Sequence, residues 1–529
     1  GSCNTALGTC SLFYNTTADN NTAVGYNSLC KNTTGASNVA LGTNSLATQT
    51  TNTQNTAVGY NALCLNTANE NTAVGYESLK NNAGGYYLTA VGKDSGLSNT
   101  TGAYGAYVGR YAAKANTTGF GNSVLGANAF CSNTTGGSNV AVGLCALQSN
   151  TTAFCNTAVG ASALLANTTG TLNTAVGVNA LRDNTTASNN TAVGVDALVL
   201  NTTGANNTAH GYRTLLSNTT GSSNIAVGVC ALYNNTTAAN NVAVGFESLK
   251  ANTTGPHNVA VGCGALTSNT TSGENTAVGF GALAAQSTGT PNDAFGNQSL
   301  CKLTTGTQNT GLGFRAMCDV TTGVRNVSVG NSAGYKTTTG NENVAVGRAA
   351  NLSNTTGSNN VSVGHCAGYN ITTGGQNINI GGYTSVASAT ASYSLAIGYN
   401  IVGKGAGTGY IAPDGGSSGG IYQGNNSANW STVSDKRIKK NIVDNNIGLD
   451  KINQIQVKNF EYRTLDEITD FGEYKESAVV GKQGIQLGVI AQEIELILPD
   501  VVKEESTGVK SVNPDNLTWY MINAIKELK

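Results

Sequence analysis

Residues able to do chemistry are scarce and unevenly spread along this 529-residue chain. Its 12 cysteines all lie at or before Cys366, and none forms a Cys-x-x-Cys pair, so no metal site is expected. The three histidines, His210, His257 and His365, are isolated and read as surface variation rather than ligands. Residues 1–433 hold only 12 Asp and Glu, thinly spread, among them Asp94, Asp196, Glu247 and Asp293. Glycoside hydrolysis takes two carboxylates at a set separation, and no clustering is visible. Residues 434–529 are different, with 29 of the 55 charged residues. No histidine follows His365, which excludes a Ser-His-Asp triad there. A lysine can replace the histidine as base if burial lowers its pKa from about 10.4 towards neutrality.

The elements that must position any such residue are dominated by one repeat. Asn55-Thr56-Ala57-Val58-Gly59 recurs through most of the chain, with exact copies at Asn21–Gly25, Asn71–Gly75, Asn173–Gly177 and Asn275–Gly279. The closing glycine falls at Gly8, Gly25, Gly42, Gly59 and Gly75 and so on to Gly398, 24 times in all. The step is 17 residues except from Gly59 to Gly75, where it is 16. Asn stands four residues before the glycine in 21 of the 24 copies, the exceptions being Leu88, Gly105 and Ser394. So short a period is too small for a helical hairpin repeat and suits one coil of a parallel β-solenoid, or β-roll. The β-branched Thr and Val alternate across a short strand. An Ala-Leu pair such as Ala62-Leu63 makes a second apolar patch, and Asn-Thr-Thr-Gly supplies a turn. Each unit therefore reads as strand, turn, strand, turn. Stacking at about 4.8 Å predicts a rod on the order of 115 Å long. The asparagines that open each unit (Asn21, Asn55, Asn71, Asn173 and Asn275 in the exact copies) are expected to form an inward ladder of amides.

Several side chains keep the phase of the repeat. Cys301 and Cys318 lie one coil apart at the same position, which would bring their Cα atoms to about 5 Å, within disulfide reach. Most of the other cysteines are expected to be small apolar fillers. Tyr26, Tyr60, Tyr76, Tyr212, Phe246, Phe280 and Phe314 follow the repeat glycine. They would stack on sugars or pack at a groove or trimer seam; Lys93, Arg110 and Val178 interrupt the series. Asn-Thr-Thr also matches the N-glycosylation acceptor pattern many times, as this repeat composition makes nearly automatic.

Composition narrows the function classes. Charged residues are 10% against about 25% in average domains, and net charge is −1, which shows no footprint for nucleic acid or an anionic membrane. No apolar run approaches the roughly 18 residues of a membrane span. The chain opens within a repeat, so it is expected to be a piece of a longer one. Three domains are read: fibre repeats over 1–398, a Gly/Ser-rich neck over 399–433 and a small α+β domain over 434–529. Within the last, Leu449–Ile455 is expected as a short helix and Val457–Tyr462 as a strand. Gln486–Ile490 is a strand running into a helix at Ala491–Leu498. Asn513 caps a final helix with Pro514 at its first position. Leu517, Met521, Ile525 and Leu528 share one face of it, packed on the domain or forming a three-helix seam.

Two resemblances follow from these residues. Asn-Thr-Ala-Val-Gly resembles the Ser-Val-Ala-Ile-Gly strand in the head repeats of trimeric autotransporter adhesins, which implies a trimeric β-roll. More specific is the tail. Ser434-Asp435-Lys436-Arg437-Ile438-Lys439-Lys440-Asn441-Ile442 resembles the entry motif of endosialidase-type intramolecular chaperone domains. Phe460-Glu461-Tyr462-Arg463, Leu487-Gly488-Val489-Ile490-Ala491-Gln492-Glu493 and Pro499-Asp500-Val501-Val502 are similar to its later motifs, in the right order. Such domains end phage tail spikes and fibres and some giant-virus and cellular proteins. They assemble the upstream chain as a trimer and then cut themselves off. The resemblance implies Ser434 as nucleophile, Lys439 as general base, Asn441 as an orienting residue, and a scissile bond next to Ser434.

The expected function is thus a trimeric fibre, viral, on a virion surface or extracellular, binding a host-surface receptor or glycan. Neither cofactor, metal, nucleic acid nor membrane insertion is expected. Alternatives are a polysaccharide-degrading tailspike, a cellular surface adhesin and an ice- or mineral-binding rod carrying Thr ladders.

Overall fold

The computed structural model describes residues 1–413, 415, 420–423, 436, 439–470, 480, 483–504 and 508–529. Two compact units are present, Gly1–Thr432 and Val433–Lys529.

The first unit is a parallel β-solenoid. Strands β1 (Thr5–Leu7) to β24 (Leu395–Gly398) each belong to one coil and pair in parallel with the next. Register is kept throughout: Thr174 faces Thr191, Ala175 faces Ala192 and Val176 faces Val193. At the far end β25 (Gly409–Ala412) continues the sheet in parallel, and β26 (Ile421–Gln423) closes it antiparallel. The coil from Asn173 to Asn189 shows why the sequence folds this way. Thr174 and Val176 point outward while Ala175 points inward and is fully buried. Gly177 turns the chain at φ 135°, and a Cβ there would lie 2.4 Å from the Gly194 carbonyl oxygen. Only glycine fits that approach.

The second apolar patch forms no strand, which corrects the strand-turn-strand-turn expectation. Asn179 (φ 57°) and Leu181 (φ 51°) are left-handed and alternate with right-handed neighbours, so the chain curls inward and drops Leu181 into the core. Left-handed backbone costs a non-glycine residue about 1–2 kcal/mol. Burying a leucine offsets it with about 1.5–3 kcal/mol. The amide of Leu181 also donates to Ala197 O in the next coil at 3.0 Å, so the curl stacks as regularly as the strand.

Two amide columns run inside the rod. Asn21, Asn55, Asn71, Asn173 and Asn275 are all buried. Asn173 donates its main-chain N–H to Asn156 Oδ1 at 2.9 Å. Its own Oδ1 accepts from the Asn190 N–H at 3.0 Å, and its Nδ2 donates to Ala187 O in its own coil at 2.9 Å. This column therefore links coils through side chain and backbone. In several coils it also links side chain to side chain, as where Asn139 Nδ2 donates to Asn122 Oδ1 at 3.2 Å. A second side-chain column is the asparagine of Asn-Thr-Thr, which the sequence presented only as a turn residue. Asn184 donates to Asn167 Oδ1 at 2.9 Å and accepts from Asn201 Nδ2 at 2.9 Å. The same bond repeats from Asn99 through to Asn269. These are also the acceptor-pattern asparagines, and in the folded rod they are buried. Glutamine interrupts the column on its donor side: Gln49 Nε2 donates to Asn52 O and not to Asn32, while its Oε1 still accepts from Asn66 Nδ2 at 3.3 Å. Asn32 precedes Gln49, and Asn269 precedes Gln286; the Oδ1 of each is buried without a hydrogen-bond partner.

The irregular coils have local physical causes. The 16-residue step leaves strand register intact, Thr56 facing Thr72, because the missing residue comes from the corner after Asn66. Asn66 Nδ2 reaches Ala68 O two residues on at 2.6 Å, where Asn82 reaches Gly85 O three residues on. Leu88 and Gly105 are successive breaks in the opening asparagine column, and two residues after Gly105 comes Tyr107, which fills the inward position held by Ala90 in the coil before and Val124 in the coil after. A Cβ on Gly105 would lie 2.3 Å from the Tyr107 hydroxyl, and one on Gly96 would lie 2.9 Å from its ring. Glycine at both positions makes room for the ring, whose hydroxyl accepts from Asn116 Nδ2 at 3.3 Å.

The second unit is small. Helix α1 (Leu449–Ile452), strand β27 (Lys458–Phe460), strand β28 (Gln486–Gly488), helix α2 (Ala491–Ile497), a hairpin of β29 (Val502–Glu504) and β30 (Lys510–Val512), and helix α3 (Pro514–Glu527) follow in order. Asn513 caps α3, its side chain accepting from the Asp515 and Asn516 amides. The hairpin had no sequence expectation. Ile494, Leu498, Val501 and Tyr520 form the core, with Leu517 packed against it.

Two predictions follow from this packing. Asn150→Ala removes the donor to Asn133 Oδ1 and should cost about 1–3 kcal/mol, whereas Gln286→Asn gives Asn269 a donor and should gain about 1 kcal/mol; local hydrogen exchange measures both. Tyr107→Ala, although it restores the commoner residue, should cost about 3–5 kcal/mol because Gly96 and Gly105 leave the space unfilled, read as a lowered thermal midpoint.

Candidate functional site

The residues singled out for self-cleavage lie where the second unit begins. Ser434 falls outside the described residues, as do Asp435, Arg437 and Ile438. Lys436, Lys439, Lys440 and Asn441 are described, and all four are exposed. The Lys439 N–H donates to Lys436 O at 3.3 Å. Asn441 is left-handed at φ 55°, a conformation its short amide tolerates. A lysine base needs burial, and the single chain leaves Lys439 exposed.

The segment after Asn441 is moored to the final helix. The Leu449 amide donates to Glu527 Oε2 at 2.6 Å. Asn523 Nδ2 donates to Asn445 O at 2.6 Å and to Ile447 O at 3.3 Å. Beside these contacts a cleft of about 170 Å³ is lined by Asn445, Asp500, Asn516, Trp519, Tyr520 and Asn523. Tyr520 donates its hydroxyl proton to Asp500 Oδ2 at 2.6 Å, and that bond, with burial second, pushes the phenol above its usual pKa. Two motifs far apart in sequence meet in one ladder: Asn459 faces Leu487 and Phe460 faces Gln486, and Lys458 is ion-paired with Glu493. Trp519, Met521, Ile525 and Leu528 on α3 are exposed, whereas Leu517 turns inward.

The first unit carries reactive residues of its own. Cys301 and Cys318 are joined by a disulfide with Cα atoms 4.9 Å apart. The other ten cysteines are free thiols. Burial pushes the Cys64 and Cys131 thiols up, which suits fillers rather than nucleophiles. His210 and His257 are exposed and His365 half-buried; His365 lies 3.0 Å from an Arg348 nitrogen. No group of three or more His, Cys, Asp or Glu fit to hold a metal ion occurs among the described residues. No helix among them is long and apolar enough to cross a membrane.

One carboxylate pair escaped the sequence reading. Glu77 and Asp94 occupy the same position in successive coils, two residues after Gly75 and Gly92. Lys80 at 2.8 Å holds the Glu77 carboxyl below its usual range, with Asn61 adding a bond at 3.2 Å. The aromatics after the repeat glycine are exposed, and Tyr60 stacks on Tyr76 with centroids 5.2 Å apart.

No curated protein and no solved structure matches the chain. A family model does, and it begins at the serine that the entry motif singles out. Behind a 24-coil β-solenoid, residues 434–503 are similar to the chaperone of endosialidase family.

Proposed function

We propose that the chain is one subunit of a trimeric, host-attaching viral fibre, whose carboxyl-terminal domain joins three copies and then cuts itself off next to Ser434. The observation that carries this reading is an uncovered apolar face. On the outward side of the strand sheet, Leu41, Val91, Leu125, Val159, Val176 and Val227 are exposed, and the aromatics after the repeat glycine stand beside them. A stripe of this length lies outside what monomeric proteins leave in water. Three copies of one rod would cover it with identical faces in register. The second unit adds its own uncovered face, Met521, Ile525 and Leu528 on α3, suited to a three-helix seam.

Assembly also supplies what the dyad lacks. Ser434 attacks the adjoining peptide bond when Lys439 takes its proton, with Asn441 orienting the group attacked. Lys439 loses its proton only in a dry setting, which contact between copies provides. Cleavage then waits for the trimer, and removal of the clamp leaves a fibre held by its unfolding barrier. Attachment to a receptor or glycan is the remaining part of the reading. The thin spread of Asp and Glu over residues 1–433 weighs against the polysaccharide-degrading alternative.

Static light scattering of the purified protein should give the mass of an assembly of three rods. Met521→Asp combined with Ile525→Asp should prevent assembly. A wild-type mass near the 53.6 kDa of one chain contradicts the trimer.

A further inference from the structure

Nearly every corner between the second asparagine and the next strand carries small or polar residues. Among the final two residues of all the coils, Phe or Tyr occurs only at Tyr86, Tyr87, Tyr104, Phe120, Phe154 and Tyr393. Three of these six fall in the two coils that follow the shortened one. The shortening withdraws the corner at Thr67–Glu70 and opens a recess of about 260 Å³. Its walls are Asn52, Thr67, Ala68, Asn69, Glu70, Tyr86 and Tyr87. Asn52 Nδ2 donates to Thr67 O at 2.9 Å, and Asn69 Oδ1 accepts from the Thr53 amide at 2.9 Å, so the polar wall is fixed in place. Glu70, Tyr87 and Tyr104 take the same left-handed corner position, φ 59°, 56° and 56°, and so stand in one column with the carboxylate at its end.

From this arrangement we infer that the recess is a binding subsite for one sugar ring of a neutral oligosaccharide. The inference deepens the attachment part of the reading above. Ring packing decides the ligand class. The centroids of Tyr86, Tyr87 and Tyr104 are 5.3, 5.3 and 5.4 Å apart, two pairs edge-to-face and one tilted. A cage for a quaternary ammonium must leave room for the cation between its rings, within about 6 Å of each. These rings already touch one another, so only their outer surfaces are on offer. A platform of that kind takes the C–H face of a pyranose. Amide and carboxylate groups beside it take the hydroxyls, Glu70 as acceptor for two at once. Glu70 repels phosphate, sialic and uronic acids, and no Lys or Arg lines the recess, which excludes nucleic acid and acidic glycans. The volume is below that of a drug-sized pocket, which fits one ring held while the rest of the chain lies outside.

The test uses the full chain on an array of neutral hexose and N-acetylhexosamine oligosaccharides, with sialylated and uronic-acid oligosaccharides as the acidic arm. Wild type should bind on the neutral arm and not on the acidic one. Tyr87→Ala and Glu70→Gln should each weaken binding about tenfold or more, while Tyr87→Phe keeps it. A glycine inserted between Ala68 and Asn69 restores a 17-residue coil and should abolish binding with the thermal midpoint unchanged. Binding that survives both Tyr87→Ala and the insertion overturns the subsite while leaving glycan attachment elsewhere on the fibre standing. An array with no neutral binding, or with acidic binding only, also overturns it. Light scattering on the same samples reports the trimer separately.

Discussion

The structure depends on one constraint: an amide buried in a coil finds its hydrogen bond in the coil beside it. Asn173 and Asn184 each reach both neighbours, one through the backbone and the other through its side chain. A buried amide left unpaired costs about 1–3 kcal/mol, so the columns tolerate few gaps. Everything else in the coil serves that stacking. Ala175 keeps the interior narrow, Leu181 fills it by way of a left-handed curl, and Gly177 lets successive backbones approach. With so thin a core, no coil is stable alone, and stability is a nearest-neighbour property.

The same constraint makes assembly difficult. Identical coils satisfy one another equally well when shifted by a whole repeat, so the solenoid contains little information about its own start and end. Parallel pairing of strands a coil apart also forms slowly and leaves edges open meanwhile. A terminal domain that fixes three chains at one end answers both problems. On that reading the sparsely charged rod and the charge-rich tail, so unlike in composition, belong to one device.

Much of this was legible from the residues, and the exceptions are informative. The strand, its glycine and the opening asparagine were readable because each has one conformation that explains it at every copy. Asn184 was not, because Asn-Thr-Thr-Gly satisfies a turn rule so well that a second column inside the rod left no separate trace. Ala62-Leu63 read as a strand because a buried apolar pair looks alike in either backbone; the left-handed curl at Leu63 is set by the neighbouring coil and not by local preference. Gly105 looked like noise until the Tyr107 hydroxyl was found to occupy the space of its missing side chain. At the cleavage segment the limit is of another kind. The motif names Ser434, Lys439 and Asn441, but the environment a lysine base requires is not encoded within one chain, whose Lys439 is exposed.

The most direct test of this account is the intact mass of the protein after it has assembled and then been fully denatured. The account predicts two fragments whose boundary adjoins Ser434 and whose masses add up to that of the whole chain plus one water. A single species at 53.6 kDa from an assembled trimer would contradict it.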